Sequence, residues 1–320
     1  MKKLPDYREA PIIFFTLAVG LVFSLLTVSF LQPDNIELIL SQIATNAIVA
    51  IGMTMVILLG GIDLSVGSVL ALVATSVGLF LNHGVSPWLA ALLGVGIGIV
   101  CGAVNGFFIA YMHIPDIIAT LATMYIFRGV AVGISGGTWM TNFPASFKFF
   151  GQGSILGIPF ALIVALALAV LFALILHHRR FGRRVYALGG NRSAARLSGM
   201  NTRRTKFTVY IYSGILAAVA AVIFASQVGS VQASTAGSNL SFEVMAAVLI
   251  GGGSIFGGVG TVLGTMFGVL LMGMIKNGLV LTQVSPFWIN ATTGFLILVA
   301  VIINTIQRVK ESKKKEGDLV

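Results

Sequence analysis

From Ile12 to Thr305 the chain is a succession of apolar runs, most of them near the roughly 20 residues a helix needs to cross a bilayer. Short polar breaks separate them. Only 9% of the 320 residues are charged and 57% are hydrophobic, against about 25% charged in a typical soluble domain. Such a chain cannot cover its surface with polar groups in water. The pattern predicts an all-α polytopic membrane protein of about ten transmembrane helices.

The expected spans are Pro11–Leu31, a second reaching Leu59, a third from near Asp63 to before Asn82, Pro87–Ala110, a fifth from Pro115 to about Ile134, and Pro159–Leu176. Four more follow: Phe207–Val228, one opening at Ser241 and ending at Gly251, Gly260–Leu281, and Trp288–Thr305. Asp34 with Glu37 three residues on fits a capping box for the second. Ser135–Ile158 reads as a long loop holding Trp139, Phe143, Phe147, Phe149 and Phe150 but one charge, Lys148. Ile12–Leu31 is long enough to span and lacks a clear cleavage site, so it reads as a retained helix rather than a signal peptide.

Charge placement sets the orientation. Seventeen of the 20 basic residues fall in three segments: Lys2, Lys3 and Arg8; nine between His177 and Lys206; and Arg308, Lys310, Lys313, Lys314 and Lys315. The central nine are Arg179, Arg180, Arg183, Arg184, Arg192, Arg196, Arg203, Arg204 and Lys206, with no acid among them. Lysine and arginine beside spans stay cytoplasmic, so an even span count puts both termini and the central loop inside. The single membrane domain then divides into residues 1–176 (spans 1–6), a basic loop at 177–206, residues 207–306 (spans 7–10) and a basic tail at 307–320. Net charge of +10 explained this way leaves no case for nucleic acid. Cys101, the one cysteine, is a small packing residue in an apolar run.

Two glycine series stand at intervals of four: Gly98, Gly102 and Gly106, and Gly260, Gly264 and Gly268. Each set would share a helix face and let backbones approach closely; whether such faces stay fixed or slide during gating is open. A short internal echo relates Val56–Gly61 to Ala247–Gly252, and Val85–Trp88 to Val284–Trp288; duplicated halves are common in transporters. The acids deep in apolar runs are Asp63, Asp116 and Glu243, each where a helix begins and so suited to capping it. Arg128 and Lys276 lie toward outer span ends. Arg128 either snorkels to the surface or faces a cavity and pairs with an acid.

No metalloprotease, nucleophile-elbow or Walker A pattern occurs, and no Gly-Lys dipeptide. If ATP drives this protein, another subunit hydrolyses it. Asn191–Gly199 reads as a short helix with Asn191 at the N-cap and Gly199 just past the end. It is either an amphipathic loop on anionic lipid or a peg for a groove on a cytoplasmic motor.

Gly60-Gly61-Ile62-Asp63-Leu64-Ser65-Val66-Gly67-Ser68, Thr120–Thr123 with Arg128-Gly129, the run Gly189–Gly199 and the glycine-rich Val248–Gly264 together resemble the ribose-type permease subunits of bacterial ATP-binding-cassette sugar importers. The resemblance covers nearly the whole chain in order. It implies a protein of the cytoplasmic (inner) membrane that forms the solute pathway with a second permease copy, identical or related. It further implies ATPase subunits inside, which would carry the ATP and magnesium, and a sugar-binding protein outside, with no cofactor in this chain. Asn191, Arg192, Ala194, Ala195, Arg196, Ser198 and Gly199 would then contact the ATPase; Asp63, Ser65, Asn105, Arg128 and Glu243 are pathway or gating candidates. The aromatic segment Ser135–Phe150 would help dock the binding protein. The competing class is a stand-alone, gradient-driven carrier or channel, which needs intramembrane charge pairs.

Overall fold

The computed structural model describes residues 9–285, 287, 288, 291–299, 301, 302 and 305. Its helices in order are α1 (Ala10–Leu26), α2 (Pro33–Leu58), α3 (Val66–Asn82), α4 (Pro87–Ala110), α5 (Asp116–Ser135), α6 (Ala145–Gln152), α7 (Phe160–His178), α8 (Arg180–Gly190), α9 (Arg192–Leu197), α10 (Thr202–Val228), α11 (Leu240–Ile250) and α12 (Val262–Leu281). Among the described residues, six of these (α2, α4, α5, α7, α10 and α12) are long and apolar enough to cross a membrane, and α1, α3 and α11 are shorter apolar helices. Residues 287, 288, 291–299, 301, 302 and 305 are helical where the tenth span was expected. The N-terminal and C-terminal basic clusters lie outside the described residues, as does Pro286 of the second internal echo.

Proline and glycine set most boundaries. Pro33 and Pro87 open α2 and α4 in the first turn, where the missing N–H removes a donor that had no partner anyway. The anticipated capping box at Asp34 and Glu37 does not form. Helix α2 starts at Pro33 with Gln32 at its N-cap and no side-chain cap, so Asp34 already sits inside the first turn. Helix α1 ends at Leu26 and a 3₁₀ turn, Val28–Leu31, completes the expected first span.

Helix α2 is the centre. From Ile43 to Leu59 every residue but Asn46 is buried, as expected of a helix apolar all round. Against it pack α10, α12, α7 and α11. The α4–α10 pair is closest. A Cβ on Gly98 would lie 2.4 Å from Ala218 Cβ, one on Gly102 2.4 Å from Tyr210 O, and one on Gly106 3.0 Å from Phe207. Gly264 and Gly268 make the same approach to Gly251 and Ala247 of α11 and its end. Gly260 does not share that face: α12 begins only at Val262, and Gly260, at φ +144°, belongs to the preceding turn.

The two ends of the molecule differ. At one end, Tyr186 of α8 donates to Gly260 O at 2.8 Å, Gly258 N donates to Leu58 O at 2.9 Å, and Thr261 donates to Glu9 at 2.9 Å. At the other, β1 (Trp139–Met140) pairs antiparallel with β4 (Val231–Gln232), and β2 (Ser154–Ile155) with β3 (Ile158–Pro159). The expected long loop is therefore structured. Helix α6 docks on α10, with Ser226 Oγ donating to Phe147 O and accepting from Gly151 N, both at 2.7 Å. Phe143, Phe147 and Phe150 are buried there, while Trp139 and Phe149 remain exposed. That apolar packing, hidden from a one-dimensional reading, is what folds the segment.

Candidate functional site

Two segments turn back into the helix bundle instead of staying at its ends. After α2 the chain runs without regular structure from Gly61 to Ser65 before α3 begins; after α10 it returns through residues 229–239 to start α11. The two helix starts meet. Ser241 donates to Leu64 O at 2.8 Å and accepts from Gly67 N at 3.2 Å, and a Cβ on Gly67 would lie 2.2 Å from Gly237 O. At 11 residues α11 is about 16 Å long, too short to span alone. Broken helices whose N-termini converge inside a bundle are a recurring way to build solute sites. Non-helical backbone survives at that depth only where protein satisfies it.

That satisfaction comes from a sealed polar network. Asp63 accepts from Ser65 N (3.0 Å), Ser65 Oγ (2.6 Å) and Ser213 Oγ (3.1 Å). Ser65 Oγ accepts from Asn105 (2.7 Å), whose carbonyl accepts from Thr123 (2.6 Å), and Thr120 donates to Ile62 O at 3.2 Å. Asp63 is 2% and Asn105 1% exposed. The structure thus gathers three of the five pathway candidates, Asp63, Ser65 and Asn105, into one cluster closed to solute. Ser213, Thr120 and Thr123, absent from that set, complete it.

Glu243 stands apart. It pairs with Lys276 at 2.5 Å, and Asn46, the one incompletely buried residue of central α2, reaches its other oxygen at 3.4 Å. The two charged side chains keep 17% and 29% of their surface accessible. Farther along α2, Ser41 accepts from Gln227 at 3.2 Å, and Asn35 and Asn277 exchange two bonds at 3.0 and 2.8 Å. A lane of polar groups thus runs along α2 down to the ion pair. Arg128 neither snorkels nor meets an acid: it donates to Ala233 O (2.8 Å) and Ala236 O (2.5 Å), pinning the returning segment. Asp116 opens α5 and pairs with Lys206 (3.3 Å) and Tyr210 (3.1 Å).

The basic connector holds two helices where one was expected. In α8, Gly182, Val185 and Leu188 are buried and Arg183 and Arg184 exposed. The i, i+3 and i+6 spacing of Gly182, Val185 and Leu188 between the arginines is the signal that would have found it. Helix α9 has the predicted N-cap, Asn191 accepting from Ala194 N at 2.9 Å. It closes with Met200 N on Ala195 O and Gly199 N on Arg196 O, a Schellman end that the positive φ of Gly199 permits. Arg192, Ala194, Arg196 and Ser198 are exposed, but Ala195 is buried against the body. The residue thrust outward is Leu197, 89% exposed. Helix α10 then begins at Thr202, well before Phe207, with Asn201 capping Arg204 N at 2.9 Å.

The family described as "Branched-chain amino acid transport system / permease component" matches residues 35–303. The ribose import permease protein RbsC of Bacillus subtilis is 43% identical over 286 residues, 89% of this chain and 88% of that protein. Its namesake in Escherichia coli K12 is 38% identical over 287 residues, 88% and 89% of the two chains. The autoinducer 2 import system permease protein LsrC of Salmonella typhi is 34% identical over 298 residues, 93% and 86%. No solved structure matches.

Proposed function

Because the chain belongs to this family of transport-system permease components, we propose that it is the membrane-spanning permease of an ATP-driven importer for a sugar or sugar-like solute. The near-full-length 43% identity to a ribose import permease carries the reading. The family's printed description favours a second solute class, branched-chain amino acids. A gradient-driven carrier has in its favour two ion pairs among the described residues, Glu243–Lys276 and Asp116–Lys206.

In this reading the chain is the moving gate and not the motor. It sits in the inner membrane with the connector end cytoplasmic, where positive charge is retained. Helix α9 meets an ATPase subunit, Leu197 being the apolar knob that enters its groove. At the opposite end, exposed Trp139, Phe149 and Leu156 suit a solute-binding protein, and a second permease, identical or related, completes the pathway. Closure of the motor moves α9 and α8, and α8 touches the end of α2, where a Cβ on Gly189 would clash with Leu58 O. Alternating access follows from biasing two arrangements of this bundle.

Proteoliposomes holding this chain with its ATPase and binding protein test the assignment. Ribose-class uptake that needs ATP is expected. Uptake of leucine instead moves the assignment to the second class, and uptake without ATPase overturns the importer reading. The open pair gives a sharper expectation. Glu243→Gln leaves a lysine without its counter-charge at membrane depth, and uptake is expected to fall about tenfold. Adding Lys276→Gln should recover most of it if the pair only keeps charge balanced; a double variant as dead as the single one assigns Glu243 to solute contact.

A further inference from the structure

A cavity of about 400 Å³ opens between α9, the first turns of α10 and the turn joining α4 to α5. That is within the range of small-ligand sites, roughly 300–1,000 Å³. Its wall carries Arg192 and Arg196, four apart and so on one face of α9, with Arg203 and Lys206 of α10 and His113 of the turn. No acid lines it. Lys206 is neutralised by Asp116, but none of the three arginines has a carboxylate partner among the described residues. Like charges gathered around a concavity raise the local potential for an anion.

The surroundings say which kind of anion. Between the lining residues Ala110 and His113 lie Tyr111 and Met112, both exposed, and a turn back along α4 lies exposed Phe107. Tyr111 packs edge-on against Phe207 at 5.6 Å, extending the apolar rim along α10. A ligand that fills the cavity with phosphate and lays hydrocarbon on this rim is amphiphilic. We propose that the cavity binds the phosphate headgroup of an anionic phospholipid from the leaflet at the connector end, bracing α9 against the membrane body. Basic pockets beside membrane helices on the cytoplasmic side hold such headgroups. The bound phosphate offsets the mutual repulsion of Arg192, Arg196 and Arg203 and sets the position from which α9 meets its partner.

Native mass spectrometry of the purified full chain, titrated with phosphatidylglycerol or phosphatidylcholine, tests this with no transport assay, so it fails or stands apart from the importer reading. A preference for phosphatidylglycerol is expected, lowered about fivefold by Arg203→Gln and again by Arg196→Gln. Arg203→Lys should retain it, and so should Arg183→Gln with Arg184→Gln on α8, which carry equal charge outside the cavity. Equal losses from the α8 controls would mean diffuse attraction and overturn the site. Stabilisation by millimolar inorganic phosphate without selective lipid binding would make it a soluble-anion site and overturn the lipid assignment.

Discussion

Leu197→Asp is expected to cut ATP-driven uptake about 30-fold while leaving the protein inserted and folded. The side chain is almost fully exposed at the tip of α9, so nothing within the chain depends on it. Its cost is confined to whatever surface receives it. Losing a packed apolar anchor at an interface is worth about 2 kcal/mol, a factor of about 30 in affinity, and a charge forced into an apolar groove adds to that. Ala195 makes the informative contrast. It is buried beneath the helix, so a bulky residue there lifts α9 off the body and impairs the chain before any partner is met. Copurification with the ATPase subunit, measured beside uptake, separates the two. Full uptake by the Leu197→Asp variant would remove α9 from the coupling route.

Gly102→Leu is expected to destabilise the folded protein severely. The Cβ alone would stand 2.4 Å from Tyr210 O and 2.9 Å from Ile211 Cα. These are backbone atoms of α10 that cannot swing aside, so the helices must separate along a contact shared with Gly98 and Gly214. Overpacking typically costs 1–3 kcal/mol; with backbone on both sides the upper end, about 3 kcal/mol, applies. Gly96→Leu on the same helix is the matched control, because nothing lies within 4 Å of its Cβ position. Size-exclusion of detergent-solubilised protein after a heating series reads the difference. Comparable survival of the two variants would mean the α4–α10 approach is not a pillar of the fold.

How much of this was legible depends on the range of the interaction. The start of α2 was sought in a cap at Asp34, whereas Pro33 opens it. The start of α4 was marked by Pro87 and the end of α2 by Gly60-Gly61, both local chemistry. The cap at Asn191 and the turn at Gly199 were legible for the same reason. The long pairings were not. Ser213, which holds Asp63, sits in an ordinary apolar run, and Thr123, though part of a recognised motif, gave no sign that Asn105 is its partner; only the fold brings them across. The meeting of α3 with α11 rests on contacts between Gly67, Gly237 and Ser241 that no local pattern announces. Arg128 misled for a related reason: its partners are main-chain carbonyls, invisible to a search for opposite charge. One distant pair did leave a trace. Glu243 and Lys276 are the only charged residues between Phe207 and Ile306, and two lone opposite charges in lipid-crossing segments have strong cause to find each other.

The hydroxyl of Ser213 reaches Asp63 from a helix synthesised 150 residues later. During translation the first part of the chain must therefore wait, one carboxylate oxygen of Asp63 without its donor until α10 emerges, and Leu64 O and Gly67 N without Ser241 until α11 follows. A growing chain in that condition is unstable in hydrocarbon. It has reason to linger beside the insertion machinery, or in a water-filled vestibule, and to release into the bilayer only as a finished unit.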